Sequence, residues 1–363
     1  MLMLQAVFLA FLLKRHSPLL WPLATLFVVL SVHMGWNLLS RYFPEFIDIR
    51  AGLSLLYGPL ILAMVRRLAW QDRPPLPWPL LVPALSAPLI LLLWPAAAGM
   101  IHLCVVLVTA CCLYAAMSEL NTYHYVLKHT RSTFEAHSLT WLRHSLLGLI
   151  LVAVLDSVRF VIPAGWTLTS AFLHTATYGM ALLLVFYLTA RGWHQSVHFP
   201  GLGKFDAEMV AVSNSITPKA VPLTPDHTLH STDSATDMLN WQALASELQQ
   251  HLALHQSFLQ PELTVAELAA QLGWPAKQLS ALLNQHLKQN FNDFINTERV
   301  TVACRLLRRP EYQQTKLLSI QLDAGFASKS VFNASFKRVT GVTPTEWRRA
   351  LTAQDVTNSA ADS

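Results

Sequence analysis

The spacing of the charged residues constrains this chain more than any other feature. From Met1 to Arg191 they come in short clusters between apolar runs, several of which approach the length of a membrane-crossing helix. A helix rises about 1.5 Å per residue, so roughly 20 apolar residues cross the ~30 Å hydrocarbon layer of a bilayer. From Trp241 onward the charges are dense and interspersed, as on a water-facing surface. Only 13% of the chain is charged, whereas soluble domains average about 25%. A lipid-facing N-terminal half followed by a water-facing C-terminal part satisfies both observations.

The apolar runs lie at about 1–13, 17–40, 51–65, 78–94, 96–118, 141–162 and 167–190. The first is short for a span, so six or seven transmembrane helices are expected. With the C-terminus inside, the inner loops hold Lys14, Arg15, Arg66, Arg67, Arg73, Lys128, Arg131, Arg143 and Arg191. The outer loops hold only Arg41 and Arg50, a bias in the positive-inside sense. Trp21, Trp78, Trp94, Trp166 and Trp193 fall near the expected span ends, where indole rings favour the interface. Ionisable residues inside spans are rare and point to function or pairing. Asp156 and Arg159 are three apart and form the expected polar pair, while His33, Asn37, His102 and His174 are read as interhelical hydrogen-bonding groups. Residues 119–140, with His124, His129 and His137, read as a polar inner loop.

No sequence signature of catalysis is present: no Gly-rich phosphate cradle, no HExxH and no nucleophile elbow. Cys104, Cys111, Cys112 and Cys304 show neither metal-ligand nor disulfide spacing, so no metal, cofactor or catalytic residue is expected. Residues 1–13 lack the basic start and cleavage site of a signal peptide. The boundaries expected are a membrane and sensor domain at 1–193, a flexible Pro/Ser/Thr-rich linker at 194–237, an amphipathic helix at 238–260, a DNA-binding domain at 261–350 and a disordered tail at 351–363. The amphipathic helix, with Leu244, Leu248, Leu252 and Phe258 in register, packs either on the C-terminal domain or on a second copy.

The C-terminal domain is the specific part. Residues 263–287, LTVAELAAQLGWPAKQLSALLNQHL, read as helix, glycine turn at Gly273, helix. Val265, Leu268, Ala269 and Leu272 face inward on the first, and Leu279, Leu282 and Leu283 on the second. A connecting helix follows at about 291–308, with Phe294, Ile295, Arg299, Cys304 and Leu307 on its inward or pairing faces. The layout then repeats in LLSIQLDAGFASKSVFNASFKRVT, residues 317–340, with Gly325 at the turn, Ser328 as N-cap, and Phe332 and Phe336 inward. From Trp241 to Ala350 twelve Lys or Arg stand against eight Asp or Glu, a balance that suits an anionic partner.

Residues 262–349 resemble the DNA-binding domain of the AraC/XylS family of bacterial regulators. The stretch that carries the resemblance is GFASKSVFNASFKRVTGVTPTEWRR, Gly325 to Arg349. NFNDFINTERV and the multi-pass N-terminus are similar to a subgroup with membrane-embedded sensors. The resemblance implies an all-α fold: a multi-pass transmembrane bundle followed by a double helix-turn-helix domain, whose recognition helices enter successive major-groove segments. Mapped onto this chain, it puts Lys277, Gln278, Ser280, Ala281 and Asn284, then Lys329, Ser330, Asn333 and Ala334, on the outward faces. The polar ones suit base contact, and Lys337, Arg338 and Arg348 suit phosphate contact. Two departures bear on local geometry. Gln321 stands where the family has a small residue, and Pro275 where a Ser N-cap is common.

The implied protein is a membrane-anchored transcriptional regulator of the bacterial cytoplasmic (inner) membrane, with its DNA-binding domain in the cytoplasm. Its partners are double-stranded promoter DNA, the lipid bilayer, a second copy of the chain, a signal ligand of unspecified chemistry, and RNA polymerase if the output is activation. The alternative is a membrane receptor or transporter whose C-terminal helices dock proteins, which requires an apolar outward recognition face.

Overall fold

The structure is a computed structural model that describes residues 21–43, 49–71, 82–94, 97–134, 138–161, 167–194, 202–203, 206, 210, 234–312 and 314–361. Its described elements are helices, joined by isolated bridges rather than strands. Contacts divide the chain into two compact units. One comprises Met1–His124 with Leu139–Lys204, the other Tyr125–Ser138 with Phe205–Ser363.

The first unit is built from α1 (Trp21–Tyr42), α2 (Arg50–Ala69), α3 (Val82–Leu93), most of α4 (Ala98–Thr130), α5 (Thr140–Val161) and α6 (Thr167–His194). α1 packs on α2, α2 on α3, and α5 on α6. Leu55, Ala84, Ala87, Ala97 and Ile101 form a core between α2, α3 and α4. Among the described residues, Gly52–Ala69 and Gly99–Thr130 are the two stretches with both the length and the hydropathy to cross a membrane. The expected six or seven spans are therefore not supported; Leu23–Trp36, Val82–Leu93, Thr140–Leu155 and Thr175–Leu188 are apolar but shorter. The run at 1–13 lies outside the described residues, as do the side chains of Asp156 and Arg159 on α5.

Polar contacts link the helices of this unit. Glu119 accepts from Arg66 Nε at 3.2 Å and Trp70 Nε1 at 3.1 Å. The expected loop at 119–140 begins instead as helix, because α4 runs on to Thr130. Nothing from Glu119 to Thr130 breaks a helix, and Leu120, Tyr123 and Leu127 bury its inner face. His33 meets the Tyr57 hydroxyl at 2.9 Å, the interhelical hydrogen bond expected of it. Leu202, within the expected linker, is fully buried and bridges to Trp70: its N–H donates to Ala69 O at 2.9 Å, and Gln71 N–H donates to Leu202 O at 3.1 Å.

The second unit holds α7 (Ser234–His255), a 3-10 turn at Ser257–Leu259, α8 (Val265–Leu272), α9 (Ala276–Ala281), α10 (Phe291–Arg308), α11 (Leu317–Asp323), α12 (Lys329–Thr340) and α13 (Pro344–Ala361). α7 starts four residues before the expected Met238 and buries Leu248 and Leu252 in this unit. Its Trp241 stacks on His286 with centroids 6.4 Å apart. The expected disordered tail at 351–363 is helical to Ala361. The segment contains no Pro or Gly, and Leu351 packs on the core of the second helix-turn-helix, so α13 has reason to continue. That core consists of Val300, Ala303, Leu306, Leu307, Ile320, Ala324, Phe326, Phe332 and Phe336. Phe326, Phe332, Phe336 and Trp347 make a ladder of tilted and edge-on rings, centroids 5.3 to 5.9 Å apart.

Gly325 packs directly against the backbone of the 3-10 turn. It sits at φ +83°, and a Cβ there would lie 2.7 Å from Leu259 O and 2.8 Å from Leu259 Cα. Both neighbours are backbone and cannot swing aside. Gly325→Ala should therefore cost about 1–3 kcal/mol through strain and clash together, read as a shift in the urea midpoint of this unit. An unchanged midpoint would mean that Leu259 and the turn part freely.

Candidate nucleic-acid interface

Each recognition helix is set by local chemistry. Thr264 and Glu267 make a reciprocal capping box at the start of α8: Glu267 N–H donates to Thr264 Oγ1 at 3.2 Å, and Thr264 N–H to Glu267 Oε2 at 2.8 Å. Gly273 ends α8 at φ +70°, and the chain turns into α9. Pro275 takes the N-cap position of α9 without a side-chain cap; its carbonyl accepts from Gln278 N–H at 2.9 Å. In the second helix-turn-helix, Gln321 is buried and its Nε2 donates to Phe326 O at 3.1 Å, so the longer side chain braces the turn from within. Ser328 stands at the N-cap of α12, but its hydroxyl bonds that of Ser330 at 2.8 Å and leaves the helix N–H groups uncapped.

Lys329, Ser330, Asn333 and Lys337 are exposed along one side of α12, and Lys277 is exposed on α9 with Gln278 half-buried beside it. Ser280 is a correction. Expected outward, it is 1% exposed, as is its neighbour Ala281, and its Oγ accepts from the amide of half-buried Asn284 at 3.3 Å. Ser280 lies about 100° round the helix from inward Leu279, on the flank of the buried face, and α7 packs on the π turn of Leu282–His286 that follows at once. Two sides of this recognition helix are covered where periodicity alone expects one.

The phosphate candidates part company. Lys337 is free to project into solvent. Arg338 is ion-paired with Asp293 of α10. Arg348 is half-buried, with Nε and Nη2 shielded from solvent and lacking a hydrogen-bond partner, and this desolvation lowers its guanidinium pKa. At the start of α13 a second capping box, Thr343 with Glu346, holds the Glu346 carboxyl below its ordinary range through the Thr343 N–H and hydroxyl.

α10 ties the two halves of the domain together through Arg299, which is 1% exposed. Its Nε donates to Phe258 O at 2.7 Å, its Nη2 to Gln260 O at 2.6 Å and Pro261 O at 3.2 Å, and its Nη1 to Asn296 Oδ1 at 3.2 Å. Burial pulls its pKa down to about 10, so it remains a cation at neutral pH. Among the described residues no cluster of three His, Cys, Asp or Glu is placed to hold a metal.

Comparison with known proteins agrees with this geometry. Curated relatives from Staphylococcus aureus, including one from strain COL, are uncharacterized HTH-type transcriptional regulators, each 32% identical to this chain over 87 residues. The matched stretch is 24% of this chain and 11% of each relative, so the likeness is one of a domain. No solved structure matches the chain. The family described as "Helix-turn-helix domain" matches residues 268–350, from α8 through α12 into α13, and this part of the chain carries a helix-turn-helix domain.

Proposed function

We propose that the chain is a membrane-anchored, sequence-specific transcriptional regulator of the AraC/XylS type, a one-component protein of the bacterial cytoplasmic membrane whose C-terminal domain reads promoter DNA from the cytoplasm. The observation that carries this reading is a pair of helix-turn-helix units on one connecting helix, with Lys277 and then Lys329, Ser330 and Asn333 exposed on the recognition helices. The 18-residue α10 is about 27 Å long at 1.5 Å per residue. That is close to the ~34 Å that separates successive major-groove faces on one side of B-DNA. The polar outward face also disfavours the alternative of a protein-docking module. Membrane anchoring is supported by the two long apolar helices and by the exposed apolar side chains of the first unit. Only 22% of the Gly99–Thr130 window is buried, and Leu103, Leu107, Leu183 and Phe186 are each more than half exposed. Such a surface wants lipid.

The test is to place the full chain in lipid nanodiscs and select fragments of the source genome at moderate salt. Retention of a few intergenic fragments, weakening steeply as salt rises, is the expected result. Uniform retention of all fragments would remove the claim of sequence specificity, and no retention would remove DNA binding.

A further inference from the structure

The second unit is not made of the C-terminal residues alone. Residues Tyr125–Ser138, the last turn of α4 and the segment after it, pack within it. The contact is built around three polar residues on one face of α10, spaced i, i+4, i+7: Asn292, Asn296 and Arg299. Asn292 Nδ2 donates to Ser132 O at 2.8 Å and lies 3.4 Å from Arg131 O. Asn296 Nδ2 donates to Asn292 Oδ1 at 3.2 Å, and Arg299 Nη2 donates to Ser132 Oγ at 3.3 Å. The segment answers with its own backbone: Ser132 N–H donates to Leu263 O at 3.1 Å, and Arg131 bridges to Thr264. Ser132 is fully buried there.

Just beyond, half-buried Phe134 lines a groove of about 160 Å³ with Asn292, Asp293, Asn296, Val331, Ala334, Ser335 and Arg338. Four of these lie on α12, on the flank beside its outward face. A helix lying in a major groove turns its flanks toward the phosphate walls, where a cation such as Arg338 makes its contact. In the structure that flank carries Phe134, and Arg338 is held by Asp293.

Resting on the DNA-binding reading above, we propose that residues 131–134 form an autoinhibitory strap: the Asn292–Asn296–Arg299 face of α10 is its receptor, and the docked strap keeps the flank of α12 from DNA. The chemistry suits reversible docking. Besides Phe134 the contact carries these hydrogen bonds and an Arg131–Asp206 ion pair at 3.9 Å, which water replaces at small net cost, whereas an apolar seam would have to expose its surface on opening. The strap is also continuous with α4, one of the two helices long and apolar enough to cross a membrane. A shift of that helix reaches the receptor face through the few residues between Thr130 and Phe134.

The experiment compares wild-type chain, Phe134→Ala and Asn292→Ala, each full-length in nanodiscs. Amide hydrogen exchange at Ser132 reports the docking, and affinity for the genomic fragments reports the output. Both variants should speed exchange at Ser132 and tighten fragment binding about fivefold, the size of one net hydrogen bond for Asn292→Ala and of a partly buried ring's contacts for Phe134→Ala. Phe134→Ala removes only a half-buried ring, so it serves as the variant least able to disturb folding. Faster exchange with unchanged or weaker binding, in chains that still retain fragments, overturns the strap and leaves the DNA-binding reading standing. Unchanged exchange in both variants overturns the docking role of these residues. If neither the wild-type chain nor the released variants retain any fragment, both readings fall.

Discussion

Replacing Lys329 and Asn333 together with alanine should lower affinity for the selected genomic sites by about 30-fold or more, while binding to random DNA falls only severalfold. Both side chains are exposed and lie four residues apart on α12, so they stand one above the other on the same face. A good side-chain contact to a base edge is worth about 1–3 kcal/mol of discrimination, and two such contacts give roughly a 30-fold to 20,000-fold loss. Random DNA offers no matched base edge, so only the charge of Lys329 is lost there. Lys337 supplies the contrast. It is exposed on the same helix and assigned to phosphate, so Lys337→Ala should weaken specific and random DNA alike and reduce the salt slope by about one unit. Titrations of both DNA classes at several salt concentrations separate the cases. Equal losses on the two classes for the Lys329 and Asn333 variant would remove these residues as base readers.

The helix-turn-helix core was the most legible part of the sequence because it is locally encoded. Apolar spacing places α8, the connecting helix α10 and the inward Phe332 and Phe336 close to where the structure has them, since each of these rests on a 3.6-residue period. The capping boxes Thr264–Glu267 and Thr343–Glu346 were equally available as Thr-x-x-Glu ahead of a helix, a signal that periodicity does not include. Ser280 fails for a different reason. It sits on the flank of the inward face, just before a π turn on which a helix that begins more than forty residues earlier packs, and neither of those leaves a trace in the spacing around it. Residues 119–130 are polar enough to suggest a loop, yet polarity at the end of a long helix serves equally well to pair Glu119 with Arg66 and Trp70. The strap is the least legible of all. Ser132 and Arg299 are 167 residues apart, and a serine in a polar segment carries no mark of its partner.

Arg299→Leu should destabilise the helix-turn-helix unit by about 3 kcal/mol or more, at the upper end of what single substitutions do. The volume is nearly kept, so packing is not the cause. Without the guanidinium, the carbonyls of Phe258, Gln260 and Pro261 and the Asn296 side chain lose a charged donor inside the protein, where water cannot readily replace it. Those carbonyls belong to the segment that carries the 3-10 turn, and Leu259 of that turn is also the backbone against which Gly325 packs. One arginine on the connecting helix thus fixes the chain between α7 and α8, and the second helix-turn-helix leans on the same segment. Arg299→Lys should recover little. An ammonium is a point donor and cannot reproduce a planar fork that serves carbonyls in several directions. Pulse proteolysis of the full chain in urea reads the effect on this unit. A midpoint that Arg299→Leu leaves unchanged would mean the carbonyls find other donors, and the two helix-turn-helix units would then owe their fixed spacing to apolar packing along α10 alone.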